Sequence, residues 1–373
     1  MKNNPVPIEG KTPWLTLHVG QPLQSETPLE LLRTSRITDK SLLYVRNNQD
    51  LASHMHLGTP TGAWRLDLTG ATSVRALDLG TLEALPQHEI EMVLQCSGNS
   101  RGRFGGHSPV SGAQWQDGAM ANVVFGGVLL REFLDDFWNK DERGNPTYLT
   151  ATGAGTPHGH ETEPFERSVL LDDVWDSALL ALSLNGEPLP ACHGGPLRLV
   201  LPGFYGVNNV KWLTRLSLDD VPTEGHYQLS KYRLPLAPLQ PGQAFEATAE
   251  NSLPSWRMKL KSLLWQPLVG ETLHAGDIEL GGVAWSDGRS RVARVTLSCD
   301  SGETWHDAVL EQPESPYAWT RWSLTLPLGR GEPELWVRAF DESGNAQPLD
   351  PNEGWNPAGY EWHSVQRVRL AVR

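Results

Sequence analysis

The chain has 373 residues, 39% hydrophobic and 20% charged, with 36 Gly, 28 Pro and 15 Trp; this is the composition of a folded, loop-rich protein, and at roughly 150 residues per core it predicts two domains. A formal net charge of −13 opposes encounter with nucleic acid or an anionic membrane, so neither is expected as a partner. No segment approaches the roughly 18 apolar residues of a spanning helix, and the opening MKNNPVPIEGKTP lacks an apolar signal core and a twin-arginine pair; a soluble, cytoplasmic protein is expected, or a periplasmic one for a trimmed mature form.

Through the first ~250 residues the pattern switches between short strands and helices, which predicts a mixed α and β domain over 1–250. An apolar, strand-like run leads into LLYVRNN at 42–48, which carries Arg46. Residues 89–96 (EIEMVLQC) alternate, with Ile90, Met92, Leu94 and Cys96 on one face, so the thiol falls at a strand end on its core side. A glycine-rich loop follows over 97–106. The spacing of Leu129, Leu130, Phe133, Leu134, Phe137 and Trp138 predicts an amphipathic helix over 127–138. Prolines gather at 234–242, marking a linker. Beyond it, alternation at Val295, Leu297 and Cys299 and at Trp322, Leu324 and Leu326, with further strands at 335–340 and 365–372, predicts an immunoglobulin-like β-sandwich over 251–373. The fold class is therefore α+β. Cys96, Cys192 and Cys299 lie far apart and form no CxxC or CxxCH motif, so neither a disulfide scaffold nor a haem is expected in this chain.

Three groups of residues can carry chemistry. Position alone leaves Cys96 either a buried structural thiol or a group facing a cofactor across the flexible loop. Arg101 and Arg103 follow it, and single arginines are usually solvated or paired. His193, Arg198 and Lys211, set among the Gly203 and Gly206 turns, could cradle a phosphate, although they form no Walker loop and no GxGxxG. His158 and His160 could share a metal or simply face solvent, and no third ligand stands nearby in sequence.

Four stretches, LLYVRNN at 42–48, VLQCSGNSR at 93–101, LLALSLNGEPLPACHGGPLRLVLPGFYGVNNVKWLTRL at 179–216 and WNPAGYEWHSVQRV at 355–368, occur in the order and spacing of the sulfite oxidase family of molybdenum-cofactor enzymes, which the whole chain resembles. The resemblance implies a pyranopterin-binding α/β domain and a β-sandwich that mediates homodimerisation. It implies Cys96 as the thiolate ligand of molybdenum, with Arg46 and Arg101 as the cationic groups facing the substrate. It places Tyr44, Asn47, Asn48, His193, Arg198, Asn208, Asn209 and Lys211 where the family contacts the molybdopterin and its phosphate. The implied reaction is oxidation of sulfite, or a related small sulfur oxyanion, by oxygen-atom transfer. With no haem segment in the chain, electrons would pass to a separate acceptor such as a cytochrome.

Three positions depart from the family pattern: Leu182 stands at its active-site tyrosine, Ala358 at its third substrate arginine and Asn48 at the histidine of its RNH segment. These changes bear on the substrate more than on the cofactor, and His158 or His160 is expected to replace part of what is missing. A dehydrogenase of carrier-bound sulfur or a sulfoxide reductase is the alternative within the family; the sandwich favours the sulfite oxidase branch, because the sulfoxide reductases generally lack it. A carbohydrate-binding β-sandwich using its tryptophans is the alternative outside it, and that would not require the Cys96, Arg101, His193, Arg198 and Lys211 framework.

Overall fold

The computed structural model describes residues 10–49, 64–70, 73–104, 110–137, 146–157, 163–268 and 270–373. Two five-stranded sheets form the core of the first half, beside a smaller three-stranded sheet of Thr16–Val19, Gln24–Glu26 and Val45–Arg46. One has the strand order Glu187–Pro188, Leu179–Leu184, Met120–Leu129, His88–Gln95, with Arg198–Val200 also paired to Leu179–Leu184. The other runs Ser73–Asp78, Arg65–Gly70, Leu213–Asp219, Tyr148–Gly153, Glu166–Leu170 and contains one parallel pairing. Leu66, Leu149, Val169 and Leu216 of the second sheet meet Val128, Leu180 and Leu199 of the first in a common core.

The expected helix at 127–138 starts later than its apolar spacing suggests. Residues 120–129 continue as a strand, and the helix is Leu130–Phe137. The reason is the backbone at Gly126 and Gly127. A side chain at Gly127 would come within 2.1 Å of the Leu180 carbonyl oxygen, so this strand lies closer to its neighbour than any larger residue permits. Leu130, Phe133 and Leu134 then bury the helix face.

The second half is a sandwich of two antiparallel four-stranded sheets. One comprises Lys261–Gln266, Gly276–Trp285, Thr320–Leu328 and Val309–Glu311; the other comprises His306–Asp307, Val292–Ser298, Glu334–Asp341 and Gln366–Arg369. Alternating residues such as Leu280, Val295, Leu297, Leu335 and Val337 fill the space between them.

The strand His88–Gln95 joins the halves because its faces serve different partners. Met92, Leu94 and Cys96 pack with Tyr44, Ala121 and Val123, whereas Val93 packs with Trp285 and Trp319 of the sandwich. The indole of Trp285 donates to Gln95 Oε1 at 2.8 Å, and the Val93 amide donates to the Tyr317 carbonyl at 2.8 Å, which covers an otherwise open sheet edge. The turn after Cys96 is held from the same side, with the Glu361 amide donating to the Ser97 carbonyl at 2.7 Å and Lys261 Nζ donating to Ser100 Oγ at 2.5 Å.

A buried charge cluster locks this junction. Asp117 accepts from Ser100 Oγ at 2.5 Å and from Arg103 Nε at 3.0 Å, while Arg103 and Lys261 both lie over the Trp362 ring. Burial alone pushes the Asp117 carboxyl up, but Arg103, with help from Lys261 and Ser100, holds it at about 2. A carboxyl lowered by folding stabilises the protein above its unfolded value, and that contribution is lost as the pH falls from about 4 towards 2. Asp117→Asn removes the counter-charge of the part-buried Arg103 and of Lys261 and is expected to cost about 3 kcal/mol in denaturant unfolding at neutral pH. It should also flatten the acid limb of the stability profile; an unchanged limb would show that the pairing contributes nothing.

Candidate active site

Cys96 follows directly on the last strand residue, and its amide donates to the Ala119 carbonyl at 2.9 Å. The chain then turns sharply: the Asn99 amide donates to the Cys96 carbonyl, and the Gly98 amide points at Cys96 Sγ from 3.4 Å. The sulfur is thereby fixed at the wall of a cavity, with Cys96 buried against aliphatic side chains.

Part of the lining is cationic. Lys211 Nζ donates to Asn47 Oδ1 at 2.6 Å, to the Cys192 carbonyl at 2.9 Å and to the Arg46 carbonyl at 3.3 Å. Arg198 donates to the carbonyls of His193 at 3.0 Å and Asn209 at 3.2 Å. Among the described residues, neither is ion-paired to a carboxylate. Burial consequently drives Lys211 well below the usual lysine range and lowers Arg198 to about 10. Burial, together with Lys11, Lys211 and Arg198, keeps the His193 imidazole neutral.

Lys11 stands behind His193. Its Nζ donates to the Leu43 carbonyl at 2.8 Å and lies 2.5 Å from His193 Nε2. An ammonium only donates, so Nε2 is the acceptor and the imidazole proton sits on Nδ1. Burial lowers Lys11 to about 8.

Another part of the lining is aromatic and polar. Arg46 Nη2 donates to the Tyr232 hydroxyl at 2.9 Å, and that hydroxyl lies 3.3 Å from Asn48 Oδ1. Tyr232 stacks on Tyr360, with centroids 5.0 Å apart and planes at 22°. Three further polar groups belong to cavity-lining residues: Asn47 Nδ2, Gln49 Oε1 and Ser97 Oγ are buried and find no hydrogen-bond partner among the described residues. Orphaned buried groups of this kind carry a cost that a polar ligand would relieve.

Of the residues singled out from the sequence, Tyr44, Arg46, Asn47, Asn48, Cys96, His193, Arg198, Asn209 and Lys211 line this one cavity. Two do not. Arg101 lies behind Tyr360, 5.5 Å from its ring centroid, with its Nη1 donating to the Ala113 carbonyl at 3.0 Å. It threads past Gly98, Gly112 and Gly359, where any added side chain would come within 2.7 Å of it. Asn208 is structural in its bonding. Its Oδ1 accepts from Arg167 at 2.9 and 3.1 Å and its Nδ2 donates to the carbonyls of Ser255 and Trp256, which consumes the amide. Leu182 packs against the main core and does not line the cavity. His158 and His160 lie outside the described residues. Sequence reasoning missed Lys11, Gln49, Phe165, Trp212 and Tyr232. Trp212 lies within the 179–216 stretch and Gln49 directly after the 42–48 stretch, whereas Lys11, Phe165 and Tyr232 fall outside all four stretches.

Buried cations without a carboxylate partner among the described residues, sharing a cavity lining with orphaned polar groups, have the chemistry to take an anion. Inorganic phosphate is expected to raise the melting temperature of the cofactor-free wild type, by the equivalent of about 2.7 kcal/mol at a hundredfold excess over its Kd. Lys211→Met should abolish that shift. Equal shifts in both proteins would mean that the cluster binds no anion.

Comparisons with known proteins bear on the same residues. The oxidoreductase molybdopterin-binding domain family matches residues 55–227, and the Mo-co oxidoreductase dimerisation domain family matches residues 253–371. Sulfite oxidase of Gallus gallus is 32% identical over 371 residues, covering 94% of this chain and 77% of that protein. Mitochondrial sulfite oxidase of Homo sapiens is 32% identical over 376 residues, 96% of this chain; the chain spans 66% of that protein's length. The solved structure of the sulfane dehydrogenase SoxCD from Paracoccus pantotrophus is similar with a TM-score of 0.78 at 25% identity, covering 100% of this chain and 94% of that one. Two family models in chain order, and relatives matched along nearly the whole of this sequence, agree with the geometry of the cavity: the chain belongs to the sulfite oxidase family of molybdopterin oxidoreductases.

Proposed function

We propose that this protein is a molybdenum-dependent oxidoreductase that oxidises sulfite to sulfate and passes the electrons to a separate acceptor. One observation carries the reading: a single thiol, Cys96, faces a cavity whose buried cations have no carboxylate partners among the described residues. The residues suit a molybdopterin cofactor. Lys211, Arg198 and the Nδ1–H of His193 would hold its phosphate, and the orphaned amides of Asn47 and Gln49 with Ser97 Oγ would meet the polar edges of the pterin. Cys96 would supply the soft thiolate that suits the metal. When bound, the group supplies the two-electron chemistry, in which sulfite and water become sulfate, two electrons and two protons.

The chain's own residues do the rest. Arg46 presents a guanidinium at the cavity wall, oriented by Tyr232 and by its neighbour's carbonyl, where an oxyanion can be held. Leu94, Val207 and Phe165 give the cavity apolar walls, which restrict water and strengthen that attraction. Arg101, set behind Tyr360, adds positive charge at one remove. The region 253–371 would supply the contact for a homodimer. No helix among the described residues is long and apolar enough to cross a membrane, and a cytoplasmic or periplasmic location remains the expectation from the sequence.

A second reading within the family is oxidation of sulfane sulfur on a carrier. It is favoured by the similarity to the SoxCD structure over the full chain and by Ala358 at the position of the family's third substrate arginine. Comparing kcat/KM for sulfite with that for a protein-bound persulfide separates the two. For the sulfite reading, Cys96→Ser is expected to lose molybdenum and to lower turnover with an artificial acceptor by more than about 100-fold, since disturbing groups behind a metal ligand already costs 10–100-fold. Turnover equal to that of the wild type would exclude the thiol as ligand.

A further inference from the structure

One cation bonded to the anion cluster does not itself line the cavity. Lys11 is outside the lining, yet its Nζ lies 2.5 Å from Nε2 of His193, which belongs to it, across 182 residues of chain. Its position is built from the backbone. The Thr12 amide donates to the Ser41 carbonyl at 3.0 Å and docks the N-terminal stretch on the loop that precedes Tyr44. Within that loop the amides of Leu42 and Leu43 both donate to the Asp39 carbonyl, at 2.9 and 3.1 Å, a tight turn that leaves the carbonyls of Lys40 and Leu43 to converge on Lys11 Nζ.

The protons at that point are fully accounted for. An ammonium has three N–H donors and no acceptor. Two of them go to the Lys40 and Leu43 carbonyls, and the third goes to His193 Nε2. Burial lowers Lys11 to about 8, with Cys192 and Asp39 opposing the fall and Lys40 adding to it, so the group is still an ammonium at pH 7. A neutral imidazole carries one N–H and one acceptor nitrogen, and the bond made at one nitrogen decides what the other presents. With Nε2 committed as the acceptor, Nδ1 carries the proton, and no described residue accepts from it. The opposite tautomer would offer a lone pair in its place, and a lone pair repels an anion.

We infer that Lys11 is a positioning residue of the anion site: from behind the cavity lining it fixes the tautomer of His193, so that the imidazole donates to a cofactor phosphate held by Lys211 and Arg198. The inference rests on the cofactor reading above and adds to it a cation that does not touch the ligand. Left to itself, an imidazole serves a donor or an acceptor equally. Lys11 removes that choice.

The test begins with the cofactor-free wild type at pH 7 carrying nitrogen-15 histidine, the His193 signals being identified by their loss in His193→Gln. The expected spectrum shows a proton on Nδ1 and a bare Nε2. Lys11→Met keeps a stem of similar length without a donor. It should move His193 towards the Nε2–H form and raise the Kd for inorganic phosphate, measured by calorimetry, about tenfold or more, the usual weight of a hydrogen bond to a charged group. Lys11→Arg, which still donates, should restore both. A proton on Nε2 in the wild type, or an unmoved tautomer and phosphate Kd in Lys11→Met, would overturn the role and leave the oxidase reading standing. Should Lys11→Met fail to fold, the wild-type spectrum still decides. A protein with the expected tautomer and phosphate affinities that takes up no molybdenum on loading would uphold the role and remove the cofactor reading.

Discussion

The site depends on positive charge that the chain itself does not neutralise. Moving a lysine or arginine from water into a protein costs several kcal/mol unless close partners offset it. Among the described residues Lys211 and Arg198 have backbone carbonyls, one amide oxygen and the rings of Trp212 and Phe125 as partners but no carboxylate, and burial lowers the proton affinity of both. A fold keeps such an arrangement when an anion completes it. The orphaned polar atoms of Asn47, Gln49 and Ser97 extend the same deficit around the cavity wall, so charge and hydrogen bonding both call for a ligand that is anionic at one end and polar along its edge.

Much of the scaffold was legible because it follows from period-two alternation. Met92, Leu94 and Cys96 face one side as their spacing predicts, and the sandwich strands sit where Val295, Leu297, Trp322 and Leu335 alternate. The helix boundary was not legible, since apolar residues of a buried strand and of a helix face run together across residues 127–130. What separates them is the close approach of Gly127 to Leu180, a contact with a strand some 50 residues away.

The site was legible where its residues cluster in short motifs and hidden where they arrive singly. His193, Arg198, Asn209 and Lys211 come from one stretch, which the strand and turns around Arg198–Val200 fold back on itself. Lys11, Gln49, Phe165 and Tyr232 come from separate segments whose sequences carry no periodic or compositional signal. Asn208 shows the converse error: adjacent to a cavity residue and of the same type, it turns the other way and joins Arg167 to the chain at Ser255.

The grip of the sandwich on the turn after Cys96 has a consequence for how the molecule can be divided. Glu361 and Lys261 each hold a residue of that turn, and Tyr360 backs Tyr232. Excising the C-terminal half would therefore expose more than an apolar face. It would release the thiol from its fixed position and leave the aromatic wall without its outer layer. A minimal cofactor module could not be cut from this protein at the linker and expected to work, and grafting it onto another scaffold would require transplanting three small patches of the sandwich with it.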